Sequence, residues 1–188
     1  RLFLKRTAWV AGALPVAGQF TSPRLLAAAG SKDKLRCVQI GCGGRGMNHL
    51  DAVVQANQQQ LVAVVDVFEP RFGAVKNWLK NKGHDPEKVR TFSDYRRMFD
   101  TMGGEIDAVF IATPNHQHAL PSMMAMQMGK GVFCEKPVCH DIGEARKLRA
   151  MASQVKTPTQ MGNQGHAQEG YRRLCEYIWS GAIGEVRE

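Results

Sequence analysis

The chain has 188 residues, 44% of them hydrophobic, which is enough for one full domain with a real core and part of another. Its formal net charge is +8, but residues 1–34 contain six basic groups and one acid and so account for +5 of it. Residues 35–188 carry the remaining +3, and their basic residues are interspersed with acids, as on an ordinary solvated surface. Nucleic acid is therefore excluded as the main partner.

Residues 1–29 do not have the pattern of a folded domain. A basic start (1–6) is followed by a mildly apolar run (8–20) and by small residues at 27–29 that offer an A-x-A cleavage site. No apolar run reaches the length of a transmembrane helix. The order Arg1-x-Phe3-Leu4-Lys5 resembles a twin-arginine export signal in which Arg1 corresponds to the second of the two arginines. The resemblance implies export of a folded protein to the periplasm or beyond, with the signal as the only membrane contact; a disordered or amphipathic tail is the alternative.

From residue 35 onward, strand patterns alternate with helix patterns. Strands are predicted at 35–40, 61–65, 90–92, 108–112, 131–134 and 158–161, and helices at 47–56, 71–81, 95–102, 118–128, 142–154 and 169–180. Strands separated by single helices predict right-handed crossovers and an α/β fold with a doubly wound parallel sheet of the Rossmann type. We assign residues 30–160 to this domain. Residues 161–188, with a helix and the start of a strand at 184, are assigned to the incomplete beginning of a second α/β domain.

The first strand leads into a glycine-rich turn, Gly41-Cys42-Gly43-Gly44-Arg45-Gly46. G-x-G-x-x-G between a strand and a helix is typical of dinucleotide binding. Gly41 permits the tight turn, Gly43 lets the backbone approach a pyrophosphate, and Gly46 lets the helix pack closely on the strand. The phosphates would lie on the free N–H groups at the positive end of the helix. An ordinary glycine-rich turn is the alternative.

The second long strand ends in Asp66, 20 residues after Gly46. A carboxylate at this place binds the adenosine ribose hydroxyls and repels a 2′-phosphate, which favours NAD over NADP. Arg71 keeps NADP as a lesser possibility, and capping of the next helix is the alternative role for Asp66.

Five cysteines form no C-x-x-C pair, and three of them fall on strands or strand ends, which predicts buried free thiols. Cys134, Cys139 and His140 have a spacing that could suggest a metal site, but no acidic or cysteine cluster completes the coordination. The sequence therefore predicts no metal.

Two polar stretches follow neighbouring strands at the edge where such sheets bind ligands. The first is Thr113-Pro114-Asn115-His116-Gln117-His118 and the second is Glu135-Lys136-Pro137. Lys136, held by Pro137, is placed where it can polarise a substrate hydroxyl or share in removing its proton. The alternatives are a surface salt bridge between Lys136 and Glu135, and loop-capping roles for His116 and His118.

These motifs, in this order and spacing, resemble the glucose–fructose oxidoreductase, inositol dehydrogenase and rhizopine-catabolism (Gfo/Idh/MocA) family over about residues 35–188. The resemblance implies that Lys136 is catalytic and that Asn163 or Gln164 lies by the cofactor at the crossing into a second domain. It also implies that this second domain supplies the substrate contacts, an acid/base residue and often a homo-oligomer interface. The cofactor-contacting set is then Gly41, Gly43, Gly44, Arg45, Gly46, Asp66, Thr113, Pro114, Asn115, His116, Glu135, Lys136, Asn163 and Gln164.

The sequence thus predicts an exported NAD-dependent oxidoreductase that transfers hydride to or from a secondary alcohol of a sugar or polyol. Since an exported enzyme would meet little free NAD, the cofactor is expected to be tightly bound. Two alternatives remain: a glycoside hydrolase of the same family that uses NAD transiently, and a non-catalytic dinucleotide-binding protein.

Overall fold

Six strands form one sheet in the computed structural model, which describes residues 34–56, 58–185 and 187. They are β1 (Leu35–Ile40), β2 (Gln59–Val65), β3 (Arg90–Phe92), β4 (Ala108–Ile111), β5 (Gly131–Glu135) and β6 (Thr159–Gly162). Their order across the sheet is β3-β2-β1-β4-β5-β6, and every neighbouring pair is parallel. The chain reverses its direction of travel across the sheet between β1 and β4, which confirms the predicted doubly wound fold.

Helices connect the strands and cover both faces of the sheet. They are α1 (Gly44–Gln55), α2 (Pro70–Asn81), α3 (Tyr95–Met102), α4 (Ala119–Gln127), α5 (Ile142–Gln154) and α6 (Glu169–Trp179). Short 3-10 turns lie at Pro86–Lys88, Gly103–Glu105, Asn115–Gln117 and Gln164–Ala167. In the described part of the chain, no helix has the length and apolar character needed to cross a membrane.

The core divides between the two faces because neighbouring residues on a strand point to opposite sides. One face packs side chains of β1 and β4 against α3 and α4, in a cluster that includes Val38, Val109 and Phe99. The other face packs β1 and β2 against α1 and α2, with Leu50 and Leu79 fully buried. The two predicted layers of helices are therefore present.

The predicted boundaries agree with the structure within two residues, with one exception. Helix α1 begins at Gly44 and not at the predicted residue 47, so the glycine motif itself forms the first turn. Apolar periodicity could not reveal this, because residues 44–46 carry no apolar side chain. Strand β6 continues to Gly162. Residues 1–29 lie outside the described residues, so the export signal stays a prediction, as does the assignment of 161–188 to a second domain.

Candidate functional site

The glycine turn between β1 and α1 is built on two positions that admit no side chain. Gly41 has φ +86°, and a Cβ there would lie 2.6 Å from the carbonyl oxygen of Ala112. A Cβ on Gly46 would lie 2.0 Å from the carbonyl oxygen of Gly41. Helix α1 is therefore packed directly against the end of β1, and a larger residue at Gly46 would separate them, whereas a larger residue at Gly41 would collide with the backbone after β4.

Gly43 and Gly44 have a different environment, since a Cβ at either would meet nothing within 4 Å. The fold alone does not require glycine at these two positions. Gly43 is the N-cap of α1, with no side-chain cap, and the first turn contains no acidic residue. The open space thus lies before uncapped N–H groups at the positive end of a helix, which is the arrangement that holds a phosphate.

A buried glutamine supports the turn from beneath. Gln39, on β1, is 1% exposed, and its Nε2 donates to the carbonyl oxygen of Gly41 at 2.9 Å. Gln39 was not predicted as a site residue, although a polar side chain within an apolar strand was a usable signal. The contact fixes the carbonyl against which Gly46 packs.

Asp66 lies at the end of β2, beside the glycine turn. Its Oδ2 accepts from the N–H of Cys42 at 2.8 Å, and its Oδ1 accepts from the N–H of Phe68 at 2.9 Å. Each carboxylate oxygen keeps capacity for a further hydrogen bond, which a ribose hydroxyl could supply. Asp66 is not the N-cap of α2, a position that Glu69 occupies, so the capping alternative does not hold. Burial, followed by the charge of Asp66, raises the pKa of the Cys42 thiol to about 12, so this thiol stays protonated.

The loop after β4 presents three exposed residues, Pro114, Asn115 and His116, at the same edge of the sheet. Thr113 is half-buried, and its hydroxyl donates to the carbonyl oxygen of Gln117 at 3.0 Å. This hydrogen bond closes the loop over its 3-10 turn, so the exposed residues are displayed on a fixed backbone.

His118, which follows this loop, is 1% exposed. Its Nε2 lies 2.8 Å from the carbonyl oxygen of Thr113, and its Nδ1 contacts the carbonyl oxygen of Pro137. The loop-capping alternative is therefore correct for His118, which joins the loop after β4 to the turn after β5.

Glu135, the last residue of β5, lies in a buried polar cluster. Its side chain is 6% exposed, and Oε1 lies 2.7 Å from Nε2 of His49 and 3.7 Å from Nε of Arg45. The Gln164 amide also donates to Oε1. A Cβ on Gly162, the residue paired with Glu135 on β6, would lie 2.8 Å from the same oxygen, so glycine there leaves room for the carboxylate.

The electrostatics of Glu135 follow from these partners. Burial acts to raise its pKa, but hydrogen bonds from His49 and Gln164, with the charges of His49 and Arg45, outweigh burial and hold the pKa below its ordinary value. Glu135 is thus a buried, ionised carboxylate that His49, Gln164 and Arg45 stabilise.

Lys136 is exposed and, among the residues that the structure describes, forms no hydrogen bond or ion pair. The alternative of a salt bridge to Glu135 is therefore wrong, because Glu135 pairs with side chains from α1 and from the turn after β6. Lys136 joins Pro137 through a cis peptide bond. Its amine is left available at the carboxyl edge of the sheet.

The structure brings most of the predicted residues to this one edge, where β1, β2, β4, β5 and β6 all end. Asn163 is exposed directly after β6, and Gln164 is half-buried against Glu135. His49 was not predicted as a site residue. Its place four residues after Arg45 puts both side chains on one face of α1, but the sequence pattern began this helix at residue 47 and so did not include Arg45. Within the described ranges, no group of three or more His, Cys, Asp or Glu residues could hold a metal ion.

Comparison with known proteins identifies relatives of the same architecture. Inositol 2-dehydrogenase from Rhizobium meliloti (strain 1021) is 31% identical over 147 residues, covering 78% of this chain and 41% of that protein. A glycosyl hydrolase family 109 protein from Stenotrophomonas maltophilia (strain K279a) is 31% identical over 136 residues, covering 70% of this chain and 29% of that protein.

Among solved structures, scyllo-inositol dehydrogenase from Lactobacillus casei with bound NAD(H) and scyllo-inositol superposes with a TM-score of 0.67 at 25% identity. The match covers 81% of this chain and 43% of that one, so the chain spans less than half the length of these proteins. The model of the Gfo/Idh/MocA oxidoreductase family, described as an NAD-binding Rossmann fold, matches residues 35–163. The chain belongs to this family.

Proposed function

We propose that the intact protein is an NAD-dependent oxidoreductase acting on a secondary alcohol of a sugar or polyol. The observation that carries the proposal is the unpaired amine of Lys136, which lies on the same sheet edge as a glycine turn with open space at Gly43. Similarity to inositol 2-dehydrogenase from Rhizobium meliloti and to scyllo-inositol dehydrogenase from Lactobacillus casei supports a polyol or sugar substrate.

The residues present fit a dinucleotide. The N–H groups of the first turn of α1 would hold the pyrophosphate, the carboxylate of Asp66 would accept from the ribose hydroxyls, and Thr113 to His116 would line the nicotinamide half. NAD supplies the hydride chemistry when bound. Lys136 would donate a hydrogen bond to the substrate hydroxyl oxygen and share in taking its proton. The buried partners of Glu135 would hold that residue, and with it the backbone that leads into Lys136, in a fixed position.

The test is NADH formation with a panel of polyols and sugars that begins with myo-inositol and scyllo-inositol. K136A should abolish turnover and leave NAD affinity nearly unchanged, because the glycine turn and Asp66 are untouched. An unchanged activity or phenotype in K136A would favour a non-catalytic dinucleotide-binding protein instead.

A glycoside hydrolase is the second candidate, favoured by the 31% identity to the glycosyl hydrolase family 109 protein. The two candidates differ in their redox balance. Net accumulation of NADH with a free sugar or polyol supports the dehydrogenase, whereas cleavage of a glycoside without net NADH supports the hydrolase.

NAD, rather than NADP, is the proposed cofactor, since the carboxylate of Asp66, if it binds the ribose hydroxyls, would repel a 2′-phosphate. Asp66→Ser should weaken NAD binding and reduce the preference for NAD over NADP. An unchanged preference would assign the discrimination to another residue, of which Arg71, exposed at the start of α2, is the first candidate.

The cofactor is further proposed to be tightly bound, because the protein is proposed to be exported to a compartment with little free NAD. Protein purified without added NAD should release dinucleotide on denaturation. Protein that emerges without dinucleotide and binds it weakly would overturn this part of the proposal.

Assembly into a homo-oligomer, proposed by analogy with the family, is tested by light scattering.

A further inference from the structure

Lys136 forms no hydrogen bond or ion pair among the described residues, so its direction depends on its two neighbours in the chain. The carbonyl of Pro137, on one side, contacts the buried ring of His118. Nε2 of the same ring is within hydrogen-bond distance of the carbonyl oxygen of Thr113, and α4 begins directly after His118. This side of Lys136 is therefore attached to the loop after β4.

On the other side, the carboxylate of Glu135 is held chiefly by His49. The ring of His49 is 7% exposed and lies edge-on to Phe133, with ring centroids 5.2 Å apart. A tilted contact with Phe110, at 6.1 Å, supports it from a second strand. Packing therefore fixes the ring, and its Nε2 is directed at Oε1 of Glu135 at 2.7 Å.

The contact joins two parts of the site that are 86 residues apart in sequence. His49 lies on α1, three residues after Gly46, so the helix that presents the glycine turn also holds the residue before Lys136. The Nδ1 atom of the same ring is buried and has no hydrogen-bond partner among the described residues. A position selected only for burial would favour an apolar side chain, which avoids that cost.

We propose that His49 is a positioning residue, which holds Glu135 so that the backbone of the Glu135-Lys136-Pro137 turn presents the amine of Lys136 to the bound dinucleotide. The inference rests on the proposed function, since it concerns the placement of the proposed catalytic lysine. The competing explanation is that His49 is a core histidine that contributes stability alone.

Three substitutions separate these explanations. In H49Q, the side-chain amide nitrogen can occupy the place of Nε2 and donate to Glu135. In H49N, the same amide is too short to reach it. H49F keeps an aromatic ring against Phe133 and lacks the nitrogen, so it remains informative if H49N fails to fold. His84 is exposed in the loop after α2, and H84N is the matched control.

Two readouts on the intact protein need no substrate: NAD affinity by fluorescence titration, and the rate at which an acetylating reagent modifies the Lys136 amine with and without NAD. NAD should shield the amine in the unmutated protein, in H49Q and in H84N. In H49N and H49F, the shielding should be lost although NAD affinity stays within about threefold, a change of about 0.7 kcal/mol. On a substrate that turns over, kcat should fall by about 10- to 100-fold in H49N and H49F and be restored in H49Q.

Equal shielding in all three His49 variants would overturn the inference and leave the proposed function standing, as would equal loss in H49Q and H49N. Absence of shielding in the unmutated protein, with NAD bound, would overturn the proposed role of Lys136 and this inference with it.

Discussion

At the scale of single residues, the four glycines of the turn divide into two kinds. Gly41 and Gly46 are required by the fold, whereas Gly43 and Gly44 border open space. Packing therefore does not explain glycine at the latter two positions, whereas the proposed dinucleotide site would. This division allows a substitution to separate binding from stability, which a mutation at Gly46 could not do.

Gly43→Ala should keep the free energy of unfolding within about 1 kcal/mol, because its backbone is in an ordinary conformation and its Cβ meets nothing. Affinity for NAD should fall by roughly tenfold or more, or about 1.4 kcal/mol, since the methyl group enters the space of the pyrophosphate. Denaturant unfolding and fluorescence titration measure the two effects.

Gly46→Ala should instead lose about 1–3 kcal/mol of stability or more. Gly73→Ala, on α2 in open space, is the control, and unchanged NAD affinity in G43A would contradict the proposed site.

The buried carboxylate of Glu135 predicts a pH dependence. Its pKa is held below the ordinary value of 4.5, so the ionised form contributes stability that is present above the unfolded-state pKa and lost as the pH falls through the lower folded-state pKa. E135Q should be less stable than the unmutated protein at neutral pH and should lose less stability on acidification. Unfolding followed by circular dichroism across the acid range is the measurement. E176Q, at an exposed position, is the control, and a parallel acid profile in E135Q would contradict the assigned environment.

At the scale of elements, the sequence was sufficient for the strands and helices because apolar runs and 3.6-residue periodicity are local signals. The glycine turn, Asp66 and the two loops could also be predicted, since parallel strands present their carboxyl ends at one edge. The His49–Glu135 contact could not, because it depends on which strands become neighbours. Nor could a pattern show that Lys136 is unpaired, since that depends on competing partners of Glu135 from α1 and from the turn after β6.

Strand β6 offers a test of how far the Glu135 cluster depends on its neighbouring element. Gly162→Ala places a Cβ 2.8 Å from Oε1 of Glu135 and 3.0 Å from Nε2 of Gln164, so the carboxylate must move. We expect a loss of about 1–3 kcal/mol in unfolding free energy and a fall in kcat, with little change in NAD affinity. Gly165→Ala, three residues on and in open space, is the control. Retention of both stability and kcat in G162A would show that the cluster adapts to the methyl group.

At the scale of the whole molecule, the described contacts that build the site come from Gln39, on β1, through Gln164, after β6. The described residues of the candidate site therefore lie on one sheet and on the helices and loops attached to it. Half of the net charge precedes this sheet and its helices in the sequence, since residues 1–29 contain four basic groups and no acid. Binding and export are accordingly proposed to be independent functions of different segments.

That separation predicts the outcome of removing the segment up to Ala29 from the intact protein. NAD affinity and the stabilisation produced by NAD should be unchanged, about 2.7 kcal/mol at 100 times the dissociation constant, because the residues proposed to hold the dinucleotide all lie after residue 40. If the proposed signal is correct, the deleted protein should remain in the cytoplasm, and the unmutated protein should be exported already folded and loaded. Cell fractionation and thermal unfolding with NAD measure the two effects. Equal export of both proteins would contradict the proposed signal, and loss of NAD binding on deletion would show that this segment belongs to the fold.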